Sequence, residues 1–348
     1  MFNHSRCIVF WVVACSWQLT SEAADTGTLE IRELTTGSDA SLRGSAVAGK
    51  DEAWVTGSKG TVLRTVDGGI TWGRVDVPDA DELDFRDVEI LADGSVLLMA
   101  AGPAEASKLY RSVDSGVTWK VVLRNREPKG FFDGMAFDAT GQRGILFGDP
   151  IKGKLDLYIT EDGGKNWIPV PRSNRPQLRQ GEYGFAASGT GVSVDASVVC
   201  VATGGMVARV WRSADWGRNW TVAKTPVRSG NDASGIFSIV FLDAMIGLVV
   251  GGDYKRPELV EDNLARSVDG GKTWRLQPDV KFEHKACVRS LGQGSALVCG
   301  RTGVAVSWDA GETWQPIDCG GYYTAAIDAA ARVGYLAGSD GRVAKVEW

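Results

Sequence analysis

The chain has 348 residues, 44% hydrophobic and 23% charged, a composition that fits a folded globular protein and excludes a low-complexity or disordered polymer. Acidic and basic residues are interspersed, with a net charge of −5 and a pI of about 5.3, which argues against a general nucleic-acid or anionic-membrane surface. The two His, His4 and His284, leave almost no material for a His-based zinc site or a Ser-His-Asp centre.

The chain opens with a short basic stretch ending at Arg6, followed by an apolar run from Cys7 to Trp17. About ten apolar residues fit a signal peptide, whereas a membrane span needs nearer twenty. Residues 1–23 are therefore expected to be an export leader and residues 24–348 the mature protein, periplasmic or extracellular. Two cleavage readings stand side by side. Ser21-Glu22-Ala23 before Ala24 fits the small-x-small rule of signal peptidase, and Val12-Val13-Ala14-Cys15 has the form of a lipobox that would leave a lipid anchor on Cys15.

Thr28 to Leu34 alternates apolar and polar residues and reads as one strand. Four short strands follow, at Ser45 to Ala48, Ala53 to Gly57, Thr61 to Val66 and Thr71 to Val77. Comparable sets end near Val122, Val170, Ala223, Leu276 and Ile317. The last segment, Tyr323 to Trp348, has room for only three strands, which would leave an open edge. The spare strand at 28–34 is the natural filler.

Six stretches share the pattern Ser/Thr-x-Asp-x-Gly-x-Thr/Asn-Trp: Thr65 to Trp72, Ser112 to Trp119, Thr160 to Trp167, Ser213 to Trp220, Ser267 to Trp274 and Ser307 to Trp314. An Asp accepts hydrogen bonds from amides just ahead of it, Gly takes the positive φ of a tight reversal, and Trp supplies an apolar plate. The six aspartates, Asp67, Asp114, Asp162, Asp215, Asp269 and Asp309, are spaced by 47, 48, 53, 54 and 40 residues. That period marks propeller blades of four strands each. The expected fold is all-β: a seven-bladed β-propeller whose ring is closed by the N-terminal strand. A six-bladed ring with a free tail is the alternative.

On these residues the chain resembles the Asp-box (BNR) repeat superfamily and, more closely, the exported propellers similar to the photosystem II stability/assembly factor. The resemblance covers nearly everything after about residue 28. It implies a binding or assembly scaffold for a protein or carbohydrate partner. That family's partner face is Arg-rich, whereas the matching loops here mix Asp and Glu with Lys and Arg. Resemblance to sialidases, which share the Asp box, raises carboxylate-dependent glycoside hydrolysis as the alternative function. The sialidase marks are missing, since Arg175-Pro176 and Arg256-Pro257 lack the Arg-Ile-Pro form and no Arg triad is evident.

The six aspartates are expected to be structural, each spent on its own turn. Function in a propeller more often sits on the opposite face, at the channel mouth. Loops there carry Asp133, Asp149, Glu182, Arg209, Asp253, Tyr254, Lys255 and Arg256, candidates for one mixed-charge ligand pocket with no assigned catalytic residue. The competing expectation is that each acid caps its own Gly/Pro turn. No cofactor and no metal are expected, since Gly204-Gly205 and Gly251-Gly252 lack the G-x-G-x-x-G form. Cys287 and Cys299 flank the Gly292-Gln293-Gly294 turn symmetrically, so they should face each other, either as a disulfide or as buried thiols.

Overall fold

A computed structural model describes residues 27–277 and 279–348. The leader, its cleavage site and the Cys15 lipobox lie outside the described residues. Within them the chain is all-β, its only helical segments being single 3-10 turns at Ala104–Ala106 and Arg172–Asn174. No described helix is long and apolar enough to cross a membrane.

The strands form antiparallel units in chain order. The first unit is Leu42–Ala48, Glu52–Gly57, Val62–Thr65 and Gly73–Arg74, and the second is Phe85–Ile90, Val96–Ala100, Lys108–Ser112 and Lys120–Arg124. The third is Phe132–Phe137, Gly144–Ile151, Lys154–Thr160 and Ile168–Pro169. One nine-stranded sheet holds the next two units. These begin with Val192–Asp195 and Ser234–Phe241 and are joined by a pairing of Gly204 with Gly235. The sixth unit runs from Cys287–Gly292 to Gln315–Ile317.

The last sheet combines Thr324–Asp328, Val333–Ala337 and Val343–Glu347 with Glu30–Leu34 from the other end of the chain. Glu30 pairs with Glu347 and Leu34 with Val343. Side chains reinforce this join: the Tyr322 hydroxyl and Arg342 Nε both donate to Glu33 Oε1 at 3.0 Å, and Thr36 Oγ1 donates to Gly341 O at 2.7 Å.

The core is divided into apolar clusters that each bridge two neighbouring units. Trp54, Phe85 and Leu98 join the first two, and Phe147, Val201 and Trp211 join the third and fourth. Another cluster joins Leu42, Val55 and Leu63 of the first unit to Val333, Tyr335 and Val343 of the last. Trp plates meet edge-on across such boundaries, Trp54 with Trp119 at 6.4 Å and Trp72 with Tyr335 at 5.9 Å.

The outermost strands are shorter than the sequence pattern implies. Gly73–Arg74 and Arg275–Leu276 hold two residues each where longer runs are expected. An outer strand has a neighbour on one side only, so little pairing or burial extends it beyond the turn that anchors it. Cys287 and Cys299 stand directly opposite each other, both fully buried and both as thiols.

Candidate functional site

The six repeated turns join the third strand of a unit to its fourth, and their polar groups are consumed locally. Asp67 Oδ1 accepts the Thr71 N–H at 2.9 Å, Oδ2 accepts the Thr71 hydroxyl at 2.6 Å, and Thr65 Oγ1 accepts the Gly69 N–H at 2.9 Å. The Oδ1–amide bond recurs at Asp114, Asp162, Asp215, Asp269 and Asp309, with the Asn166 and Asn219 side-chain amides taking the place of the Thr hydroxyl at Asp162 and Asp215. The Thr71 hydroxyl and amide hold the Asp67 carboxylate down at about 2. A carboxylate so occupied is acceptor-only and acidic, unsuited to proton transfer.

At the opposite end of the strands lies a cavity of about 520 Å³. Four of its side chains reach it by one device. Arg43, Arg86, Asp133 and Phe237 each sit at a β-bulge near the start of the first strand of a unit. The ladder pairs Leu42 with Gly57 and then Gly44 with Thr56, leaving Arg43 unpaired, and the other three repeat this pattern. A bulge bends the strand and re-aims the extra residue, here into the mouth.

The segment from Gly184 to Gly191 crosses the middle of the molecule beside this cavity, bonded to inner strands. Ser188 Oγ donates to Ala286 O at 2.8 Å, Thr190 Oγ1 bonds Ser238 Oγ at 2.6 Å, and the Ile239 N–H donates to Thr190 O at 2.9 Å. A side chain on Gly189, which has φ of 73°, would run into the Asp87 carboxyl, so the crossing requires glycine there.

The cavity is lined by both cations and acids. Arg43 stacks over the Tyr323 ring at 4.6 Å, and burial followed by the nearby Arg86 charge lowers its pKa. Arg86 is bound to Asp84 at 2.8 Å and to Ala186 O at 3.0 Å, while Arg43 and Arg301 form no ion pair among the described residues. Lining the cavity with them are Asp133, only 2% exposed, and Asp149. Burial, then the Asp149 charge, pushes the Asp133 carboxyl well above its usual range against the pull of Arg86. Burial lifts Asp149 to about 6, opposed by the Gly184 N–H. Asp133 Oδ2 and Asp149 Oδ1 have no hydrogen-bond partner.

Aromatic rings fill the space between. Phe185 and Phe237 stack at 4.0 Å, Tyr254 meets both edge-on, and His284 abuts Phe237 at 4.5 Å. Burial lowers His284 to about 4, so the imidazole is neutral at ordinary pH, and neither ring nitrogen has a partner.

Of the eight candidates the sequence singles out, Asp133, Asp149 and Tyr254 line this cavity. The other five do not reach it. Glu182 and Arg209 are spent on each other, because Glu182 pairs in the ladder with Gly205 and lies beside the Arg209 guanidinium. Glu182 also receives the Thr203 hydroxyl at 2.7 Å and the Arg179 N–H at 2.9 Å. Asp253 caps its own turn through the Lys255 and Arg256 amides at 3.0 and 3.2 Å, and it binds the Arg256 side chain at 2.8 Å. Lys255 reaches exposed Asp232 at 3.0 Å. Sequence reasoning missed Arg43, Arg86, Phe237, His284, Arg301 and Tyr323. The signal that finds four cavity side chains, a common bulge position near the start of each first strand, emerges only when the units are aligned on that strand. Among the described residues no cluster of three or more His, Cys, Asp or Glu is placed to hold a metal.

No family model matches the chain. The photosystem II assembly protein Ycf48 of Thermosynechococcus vestitus is 24% identical over 79% of this chain and 82% of its own length. The chloroplast photosystem II stability/assembly factor of Cyanidioschyzon merolae is 25% identical over 74% of this chain and 69% of its own. Among solved structures, Ycf48 bound to a D1 peptide superposes with a TM-score of 0.63 at 15% identity, covering 94% of this chain and 99% of that one. The WD40 β-propeller domain of Doa1 superposes with a TM-score of 0.61 at 12% identity, covering 91% and 95%. These likenesses show a β-propeller fold.

Proposed function

We propose that the chain is an exported seven-bladed β-propeller that holds a protein partner at its channel mouth, as a binding or assembly scaffold. The seven units, the apolar clusters between successive units and the pairing of Glu30–Leu34 with Val343–Glu347 support a ring closed by its N-terminal strand. The six repeated turns support the Asp-box assignment. Curated relatives named as assembly proteins, one of them solved with a D1 peptide, support a polypeptide partner.

The observation that carries the reading is the mouth cavity itself. Arg43 and Arg301 without an ion-pair partner, partnerless Asp133 and a cluster of rings line a recess of about 520 Å³. Interface centres are enriched in aromatic residues and Arg. A photo-crosslinking residue at Tyr254 should capture a polypeptide partner in the exported fraction, and the same residue at Ile70, exposed on a repeated turn, should not. Equal capture from both positions, or none from Tyr254, overturns the mouth as the binding face.

A second reading, carboxylate-dependent glycoside hydrolysis, has one observation in its favour: Asp133 and Asp149 share the cavity with unpartnered oxygens. Under the scaffold reading a panel of fluorogenic glycosides stays uncleaved. Cleavage that Asp149→Asn abolishes would replace the scaffold with the hydrolase.

A further inference from the structure

One side of the mouth is built from groups that all seek the same kind of ligand. Asp133 is buried, aimed into the cavity and short of a partner at Oδ2, and Asp149 is short of one at Oδ1. The backbone offers them little, since Asp149 receives the Gly184 N–H and Asp133 is pressed against Gly184. His284, 3% exposed, brings a neutral imidazole with both nitrogens free, so one of them is an unused acceptor. The site thus presents several acceptors in a cavity that Arg43, Arg86 and Arg301 also line.

Aromatic faces complete it. Phe185, Phe237 and Tyr254 make a corner of mutually packed rings beside the carboxyls, and Tyr254 remains 39% exposed at the entrance. Ring faces attract cations, and a planar guanidinium stacks on them while presenting five N–H donors in a fixed fork. An ammonium ion carries three donors on a compact, strongly hydrated centre and gains less from stacking.

We propose that this side of the mouth is a receptor for an arginine side chain of the partner, the guanidinium lying between Asp133 and Asp149 against the Phe185–Phe237–Tyr254 corner with His284 as a further acceptor. The inference rests on the mouth being a polypeptide-binding face and specifies what that face recognises. A cation between the two carboxyls favours their ionised forms against burial and satisfies two buried oxygens at once, which is where affinity for one side chain concentrates.

The test is a titration of the whole mature chain, by NMR or calorimetry, with Nα-acetyl-arginine amide and with its citrulline counterpart, which has the same shape and no charge. Saturable binding of the arginine amide, at least about tenfold tighter than the citrulline amide, is expected. In Asp133→Asn and Asp149→Asn the arginine affinity should fall at least about tenfold, with the circular dichroism spectrum kept. Failure of the arginine amide to saturate the unaltered chain, equal binding of citrulline amide, or full affinity in folded Asn variants each overturns the proposal. The citrulline comparison needs no variant, so a misfolded mutant does not spare it. If Tyr254 still crosslinks a polypeptide when arginine amide fails to bind, this inference falls and the scaffold stands. If both fail, the scaffold falls too.

Discussion

Glu182 and Arg209 show how one pair of residues is diverted from function to structure. Both are almost fully buried, and Arg209 also lies over the Trp211 ring at 4.5 Å. Burial raises the Glu182 pKa, but the Arg209 hydrogen bonds and the Arg179 and Thr203 donors outweigh it, so the carboxyl titrates below its usual value. Removing one partner of such a pair leaves an uncompensated buried charge. Arg209→Ala should therefore destabilise the fold by about 3–5 kcal/mol in urea unfolding, with arginine-amide binding at the mouth unchanged in the folded protein. A cost below about 1 kcal/mol would mean the pair is solvated in solution. Nothing local in the sequence distinguishes Glu182 from Asp133, since each is an acid set beside aromatics within three residues of a loop glycine. What separates them is long-range pairing, Glu182 with Gly205 and Asp133 at a bulge opposite Gly148 and Phe147.

The repeated turn and the first strand of each unit differ in how much of themselves they write into the sequence. The turn is legible because its hydrogen bonds close within five residues: Asp, hydroxyl and Gly must all be present at fixed offsets. The bulges are silent, because a bulge is a relation between two strands and any residue can occupy it, as Arg43, Asp133 and Phe237 illustrate. The spare strand was legible through the count of strands in the last segment. It carries a prediction of its own: deleting residues 24–36 removes the ladder to Val343–Glu347 and the Glu33 bonds to Tyr322 and Arg342. A clear drop in melting temperature is expected, and an unchanged melt would mean the ring does not depend on this strand.

Across the whole molecule the buried acids set a pH dependence. Burial lifts Asp87, at 4% exposure, to about 7 against the Met135 N–H, and burial together with the Asp87 charge lifts Glu89 to about 8. Asp133 and Asp149 are raised as well. For an acid raised in the fold, the folded state holds its proton where the unfolded chain has released it. Stability from these groups is then greatest below the ordinary carboxyl pKa of about 4 and falls as pH rises through about 6 to 8. The turn aspartates are all lowered, Asp67 and Asp114 to about 2, and so act oppositely, losing their contribution only in strong acid. The melting temperature should therefore be several degrees higher at pH 5 than at pH 8, and Asp87→Asn should flatten that slope. A melt that rises from pH 5 to 8 would contradict it. The mouth itself belongs to this scale, because Arg43, Asp133, Phe237 and Arg301 come from different units and meet only when the ring assembles them.

The ladder between Glu30–Leu34 and Val343–Glu347 also fixes an order of events in time. Among the described strands the first to be synthesised is the last to find its neighbour, waiting for a segment some three hundred residues behind it. Contacts so distant along the chain slow folding. Through that interval Glu30–Leu34 is an unclaimed edge, and its run of Glu30, Arg32 and Glu33 supplies the charges that discourage a waiting edge from pairing with the wrong chain. A chain stalled before Val343 would hold most of its core yet leave Glu30–Leu34 unpaired, the condition under which a neighbouring copy's strand becomes the substitute.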